Sequence, residues 1–204
     1  MLNKINLIFL SSLFLLIACP NVSATDMTVF GIKLSEKFTL PECERIGNFY
    51  NNNKSTCFKR DSIYSNNKKI LPTEPIITDE VEIDFPLSEV PTIASYGIVV
   101  ATIINGNLEG ISFNTSGISD NEYVFVKLKE KYGKPTVLIP TKTQNRLGAT
   151  FNFYIASWKF DNLNVSFFGV LTTLDKGSVQ INTKIGKEWR DKKLSEMSKD
   201  RRPL

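Results

Sequence analysis

The chain of 204 residues contains no histidine. That absence removes the Ser–His and Cys–His pairs by which enzymes usually activate a nucleophile. Cysteine is scarce, at three residues, Cys19, Cys43 and Cys57. The two that follow the N-terminal leader cannot by themselves supply the four ligands that structural zinc takes. The glycines at 97, 106, 110 and 117 lack the spacing of a phosphate loop. Charge of one sign is not in large excess: 25 Lys and Arg stand against 21 Asp and Glu, for a net +4. So mild an imbalance does not point to nucleic acid. No catalytic residue, metal ligand or cofactor motif emerges, and the expectation is a protein that is not an enzyme.

The N-terminus does carry information. Lys4 is followed by the apolar run Ile5–Ala18 and then by "CPNVSA". This is the three-part grammar of a secretory signal. The run is shorter than the roughly 20 residues a spanning helix needs. Small residues before Thr25 place the cut after Ala24, giving a signal peptide at 1–24. A second reading is open: "LIAC" resembles a lipobox, in which a leader of 1–18 is removed and Cys19 becomes a lipid anchor. Either reading sends the chain to the periplasm or outside the cell, with an outer-membrane lipoprotein as the alternative. Lys4 is the leader's only charge, so its removal takes the net charge from +4 to +3.

Export makes Cys43 and Cys57 a candidate disulfide, because bridges persist in oxidising compartments. They bracket the polar "ERIGNFYNNNKST". The mature length suits one domain or two small subdomains.

The clearest element is a helix at 119–132. Ser119 as N-cap and Glu122 three residues on form a capping box, with Ile118 and Tyr123 as its staple. Val124, Phe125, Leu128 and Tyr132 form one apolar stripe, and Gly133 and Pro135 end the helix. Strands are expected at 81–85 and 97–104, then, after an "NGN" turn, through "LEGISFNT". A further strand at 149–160 changes phase near Ala156–Ser157, which predicts a bulge there. "LNVSFFGVL" and "SVQINT" complete a meander. The last residues are polar, with Ile185, Trp189 and Met197 available to dock a short helix before the terminus frays.

Two segments echo each other. "ISFNT" at 111–115 and "VQINT" at 179–183 share one pattern at a shift of 68 residues. The same shift lays 98–103 on 166–171, so 98–115 and 166–183 are expected to superpose as strand–turn–strand. A helix is expected within 31–47, by analogy with 119–132. The resulting fold class is α+β, an antiparallel sheet built from two helix-plus-meander repeats with the helices packed on one face. The halves span 25–115 and 116–185, followed by a charged tail at 186–204.

The helix closing on "EKYGKPT" at 130–136, the strands after it and the "ISFNT"/"VQINT" ends resemble two groups of small exported bacterial domains. These are the BamE-type outer-membrane assembly lipoproteins and the beta-lactamase-inhibitor-protein-like domains. The resemblance implies binding or scaffolding without catalysis, and it transfers no functional residue. The segment "SNNKKILPTEP" around 65–75 has no counterpart in that architecture.

Candidate contact residues follow from placement. Glu80, Glu82 and Asp84 share one face of a strand. They form either its solvent side or an acidic stripe for a basic partner or Ca²⁺; a glycosidase-like carboxylate pair is the remaining enzymatic alternative. Lys142 and Arg146 lie in the polar loop 140–150, where binding residues concentrate. Tyr154 and Trp158 follow it and divide between core and hot-spot roles. The functional expectation is an exported binding protein of the bacterial cell envelope, an inhibitor, immunity or assembly-factor type with a protein partner. A structural envelope component is the alternative. Mass spectrometry of the mature protein tests the leader: a free Thr25 terminus is expected, and a lipidated Cys19 contradicts it.

Overall fold

The computed structural model describes residues 27–46, 49–50, 55–60 and 75–199. The leader, Cys19 and most of the 65–75 segment lie outside them. Twelve strands and two α-helices run along the described residues. Short strands β1 (Thr28–Val29), β2 (Ile32–Lys33), β3 (Arg45–Ile46) and β4 (Phe49–Tyr50) form two small hairpins. Then come β5 (Cys57–Lys59), β6 (Asp79–Asp84), β7 (Val99–Ile104), β8 (Asn107–Thr115), α1 (Asn121–Tyr132), β9 (Val137–Gln144), β10 (Thr150–Lys159), β11 (Leu163–Phe168), β12 (Gly177–Thr183) and α2 (Lys184–Lys199). The eight strands β5 to β12 make one antiparallel sheet in the order β5-β6-β7-β8-β12-β11-β10-β9. The fold is therefore α+β, built as two four-strand meanders whose last strands pair with each other.

Local chemistry explains the hairpin at the sequence's strongest turn signal. Asn105 and Gly106 both have positive φ, 52° and 77°, the backbone that a two-residue I′ turn demands and that Asn-Gly tolerates best. β7 is buried along its whole length, as its unbroken apolar run requires. The ladder between β7 and β8 slips between Thr102 and Ile103. Gly110 faces Thr102 and Leu108 faces Ile103, which leaves Glu109 as the extra residue of a bulge. The bulge expected near Ala156–Ser157 is absent: β10 keeps unbroken register with β9 and β11 through those positions. The phase change there has another cause. Tyr154, Ala156 and Trp158 lie under α1, while Phe153 is buried on the opposite face.

The echo survives in part. Ser112 pairs with Gln180, Phe113 with Val179 and Ile111 with Ile181. A shift of 68 exchanges the Phe113–Val179 and Ile111–Ile181 pairs and carries Ser112 onto Gln180, so the two segments are neighbours about a local two-fold between Ser112 and Gln180. The outer strands do not keep that shift. Val99 faces Phe113, and Val165 faces Ile181, the residue equivalent to Phe113. β7 thus falls on β11 with a shift of 66 rather than 68. The second connection, 169–176, carries the two additional residues.

Register also assigns the faces. Val81, Ile83, Val99, Ala101, Ile111, Phe113, Val179, Ile181, Val165, Phe167, Ala156 and Trp158 share one face and form the main core. α1 covers its β10 end, with Phe125 stacked on Tyr154 at 4.5 Å and Tyr132 beside Trp158. The N-terminal segment covers the β6–β8 end, with Phe30 packed against Phe85 and Phe113. α2 lies on the opposite face, where Arg190 reaches Thr102 and Glu80. The two helices therefore pack on opposite faces, not on one. Among the described residues of 27–46 there is no helix, so the first meander has no counterpart to α1 in front of it. That segment instead pairs with strand ends, as in the hydrogen bonds from Ser35 to Leu108 and from Phe38 to Gly106.

The start of α1 also differs from the capping-box expectation. A short 3-10 turn occupies Gly117–Ser119, and Asp120 is the N-cap. Ser119 Oγ donates instead to the Ser116 carbonyl, at 2.7 Å. Tyr123 is 48% exposed, its hydroxyl 3.3 Å from that of Thr92. α2 has the better cap. Thr183 Oγ1 accepts from the Gly186 N–H at 3.0 Å and donates to the buried Glu109 carboxylate. Gly186 is required there, since a Cβ would sit 2.0 Å from the Glu109 carbonyl oxygen.

Cys43 and Cys57 form the expected disulfide, with Cα atoms 5.0 Å apart. Cys43 N–H donates to the Phe58 carbonyl, and Phe58 N–H to that of Pro41. The bridge thereby holds residues 41–43 along the outer edge of β5. Replacing Cys43 by serine is expected to cost about 3 kcal/mol, the chain-entropy figure for a loop of about 15 residues. Denaturation under oxidising conditions checks this, and an unchanged melting temperature contradicts it.

Candidate functional site

The sequence brings forward seven contact residues, and the fold separates them into three places. Glu80, Glu82 and Asp84 do share one face of β6, but that face is not bare. Lys59 of β5 donates to Asp84 at 2.9 Å and to Glu82 at 3.3 Å. From α2, Lys193 Nζ lies 2.5 Å and Arg190 3.7 Å from Glu80. Glu80 is thus a receptor for the chain's own C-terminal helix, while Glu82 and Asp84 are taken up by Lys59. Burial pushes the Arg190 guanidinium below the usual arginine range, against the opposing pull of Glu80 and Asp191. A carboxyl group that acts as general acid is commonly kept in an apolar setting; here every member of the stripe faces a cation. Asp84 also pairs in register with Cys57, beside Cys43. The disulfide consumes both sulfurs of that cluster as possible metal ligands.

Tyr154 and Trp158 belong to the core face. Trp158 is 1% exposed and donates its indole N–H to the Gly133 carbonyl at 2.8 Å, which ties β10 to the end of α1. Tyr154 donates its backbone N–H to Asn121 Oδ1. A hydrogen bond from its phenol to Glu122 raises the phenol pKa. Trp158 is thus a core residue, and Tyr154, partly buried, packs against the same core.

Lys142 and Arg146 are exposed; Arg146 keeps its place in a loop, while Lys142 stands on a strand instead. Residues 137–144 are strand β9, and the loop shrinks to 145–149. Asn145 organises that tip. Its Oδ1 accepts from the N–H groups of Leu147 and Ala149 at 3.0 and 2.9 Å, an Asx-type turn that presents Arg146 and Leu147 outward. β9 is the sheet's last strand, and no described strand pairs with its outer side. Val137, Leu138 and Ile139 are 47%, 43% and 50% exposed.

The direction of the β9 backbone follows from its partner. Pro140 faces Tyr154. The N–H of Tyr154 goes to Asn121, and its carbonyl accepts from Gly169. Pro140–Tyr154 is accordingly a pair that exchanges no ladder bonds, and Leu138, Pro140, Lys142 and Gln144 aim their backbone groups at the open edge. Proline there removes one donor, a common edge guard. Val137–Ile139 were the residues that sequence reasoning passed over. Their signal was present as the apolar "VLI" before Pro140, but the polar "TKTQNR" after it reads as loop.

Comparison with known proteins adds no relative: no family model, no curated protein and no solved structure matches the chain.

The Lys59 cluster has a pH signature. Burial lowers the lysine's pKa, but Asp84 and Glu82 together raise it above 10.5. A raised lysine pKa stabilises the fold fully below the unfolded value of about 10.4, and that contribution fades as pH rises through the folded value. Lys59→Met should therefore be less stable than the wild type at pH 7, with the gap closing at strongly alkaline pH. Chemical denaturation across that range reads it, and a constant gap contradicts the assignment.

Proposed function

We propose that this chain is an exported, non-catalytic binding protein of the bacterial cell envelope, of the inhibitor, immunity or assembly-factor type. Its partner is a protein that adds a strand to β9. The carrying observation is the asymmetry of the sheet. One outer edge, β5, is covered by residues 41–43 and fixed by the disulfide. The other, β9, offers outward backbone groups at Leu138, Lys142 and Gln144, half-exposed Val137, Leu138 and Ile139, and cations at Lys142 and Arg146. Strand addition draws affinity from such main-chain groups and specificity from alternate side chains. Pro140 makes the edge selective, since a partner strand gains no donor opposite it. The Cys43–Cys57 bridge supports an oxidising compartment, with Cys19 as the anchor if the leader is of the lipoprotein kind. The same reading treats the halves as diverged copies of one meander unit, supported by the shared register at Ser112–Gln180.

A photo-crosslinking residue at Leu138, with one at the 93%-exposed Leu87 as control, tests the edge in intact cells. The expected outcome is a discrete protein adduct from Leu138, absent from Leu87 and lost in Lys142→Glu/Arg146→Glu. Equal labelling at both positions, or none, overturns the edge reading. Association with peptidoglycan or lipid alone moves the protein to the structural class.

A further inference from the structure

A cleft of about 400 Å³ opens between α1, the β1–β2 hairpin and the 91–93 segment. Its size falls within the range of small-molecule sites, roughly 300–1,000 Å³. Phe113 of β8 and Ile181 of β12 form part of its lining, where the two meanders join. Leu128 of α1, Ile93 and Phe30 add further apolar surface. Thr92 and Tyr123 hydroxyls lie 3.3 Å apart, linking the 91–93 segment to α1.

Two features point to a ligand rather than to loose packing. The first is charge. Among the described residues, Lys127 and Lys131 are the only charged ones lining the cleft, and they sit one helical turn apart on α1. Glu130 meets Lys127 and is itself 58% exposed, and Lys131 donates to the Thr28 carbonyl. The second is strain. Phe30 has φ 51°, a left-handed backbone that bulky residues avoid. That conformation, followed by Gly31 at φ 79°, closes the β1–β2 turn and puts the Phe30 ring against Phe113, centroids 5.2 Å apart. Strained residues of this kind concentrate at ligand clamps.

We infer that the cleft binds a single-chain anionic amphiphile of the fatty-acid class, its chain against Phe30, Phe113 and Leu128 and its carboxylate against Lys127 and Lys131. An apolar lining that carries charge of one sign only matches a ligand with an apolar body and one anionic end. The site is separate from the β9 edge, and neither proposal depends on the other.

Calorimetry of the full-length mature protein with dodecanoate and with dodecanol, both below their aggregation concentrations, provides the test. Dodecanoate is expected to bind saturably at one per chain. Lys127→Gln/Lys131→Gln should weaken it about tenfold, the combined size of two exposed charge contacts, while leaving dodecanol binding unchanged. Leu128→Trp should abolish both, and Thr92→Trp, at an exposed position, gives the same block if the core variant does not fold. Absent or non-saturating dodecanoate binding, or equal affinity of the lysine variant and the wild type, overturns the inference.

Discussion

Everything in this structure hangs on the antiparallel pairing of β8 with β12. The two meanders are otherwise separate along the chain, and that ladder alone makes them one sheet. Because side chains alternate with a period of two, a one-residue slip there would turn Ile111, Phe113, Val179 and Ile181 out of the core together. The local two-fold at Ser112 and Gln180 makes the contact self-complementary: each strand presents its partner with the same apolar–polar alternation. The Glu109 bulge and the Thr183 cap lie at one end of this ladder. There the chain leaves the sheet as α2, onto the face away from α1.

That exit gives the two faces unlike chemistry. The α1 face is held by aliphatic and aromatic packing with few charges. The α2 face is held by cations reaching acids: Lys193 and Arg190 to Glu80, and Lys59 to Glu82 and Asp84. Glu80 is 14% exposed in its side chain, so removing either partner alone would strand a poorly solvated charge. Specificity for the seating of α2 comes from these contacts more than from apolar area, since Ile185, Leu194 and Met197 all stay at least half exposed.

What the sequence disclosed, and what it hid, divides along sequence distance. The Asn105–Gly106 hairpin, the apolar stripe of α1 and the Cys43–Cys57 pair depend on neighbours or on simple counting, and all three could be read. The docking of α2 could not, because its partner Glu80 lies more than a hundred residues earlier and a lysine-rich helix carries no sign of where it packs. β9 was hidden because an edge strand needs no alternation: most of its residues are exposed on both sides. The Ser119 cap failed because the Gly117–Ser119 turn moved the helix start to Asp120, a choice governed by the Ile118 N–H bonding to the Leu174 carbonyl across the fold. The contact residues fared similarly. Lys142 and Arg146 fell on an open surface, while Tyr154 and Trp158 pack on the core face and the acidic stripe meets cations of the chain itself.

The position of β12 has a kinetic side. β8 is complete at Thr115, yet the strand that shields its outer edge ends at Thr183. A chain that emerges N-terminus first therefore carries a half-sheet with an apolar, unpaired border for about a third of its length. Such borders are sticky, and their closure waits on a long loop. The helix that clasps the polar face comes later still, within the final residues. Native assembly is in this sense a post-synthetic event, since neither the sheet nor its covering helix can close before β12 and α2 are made.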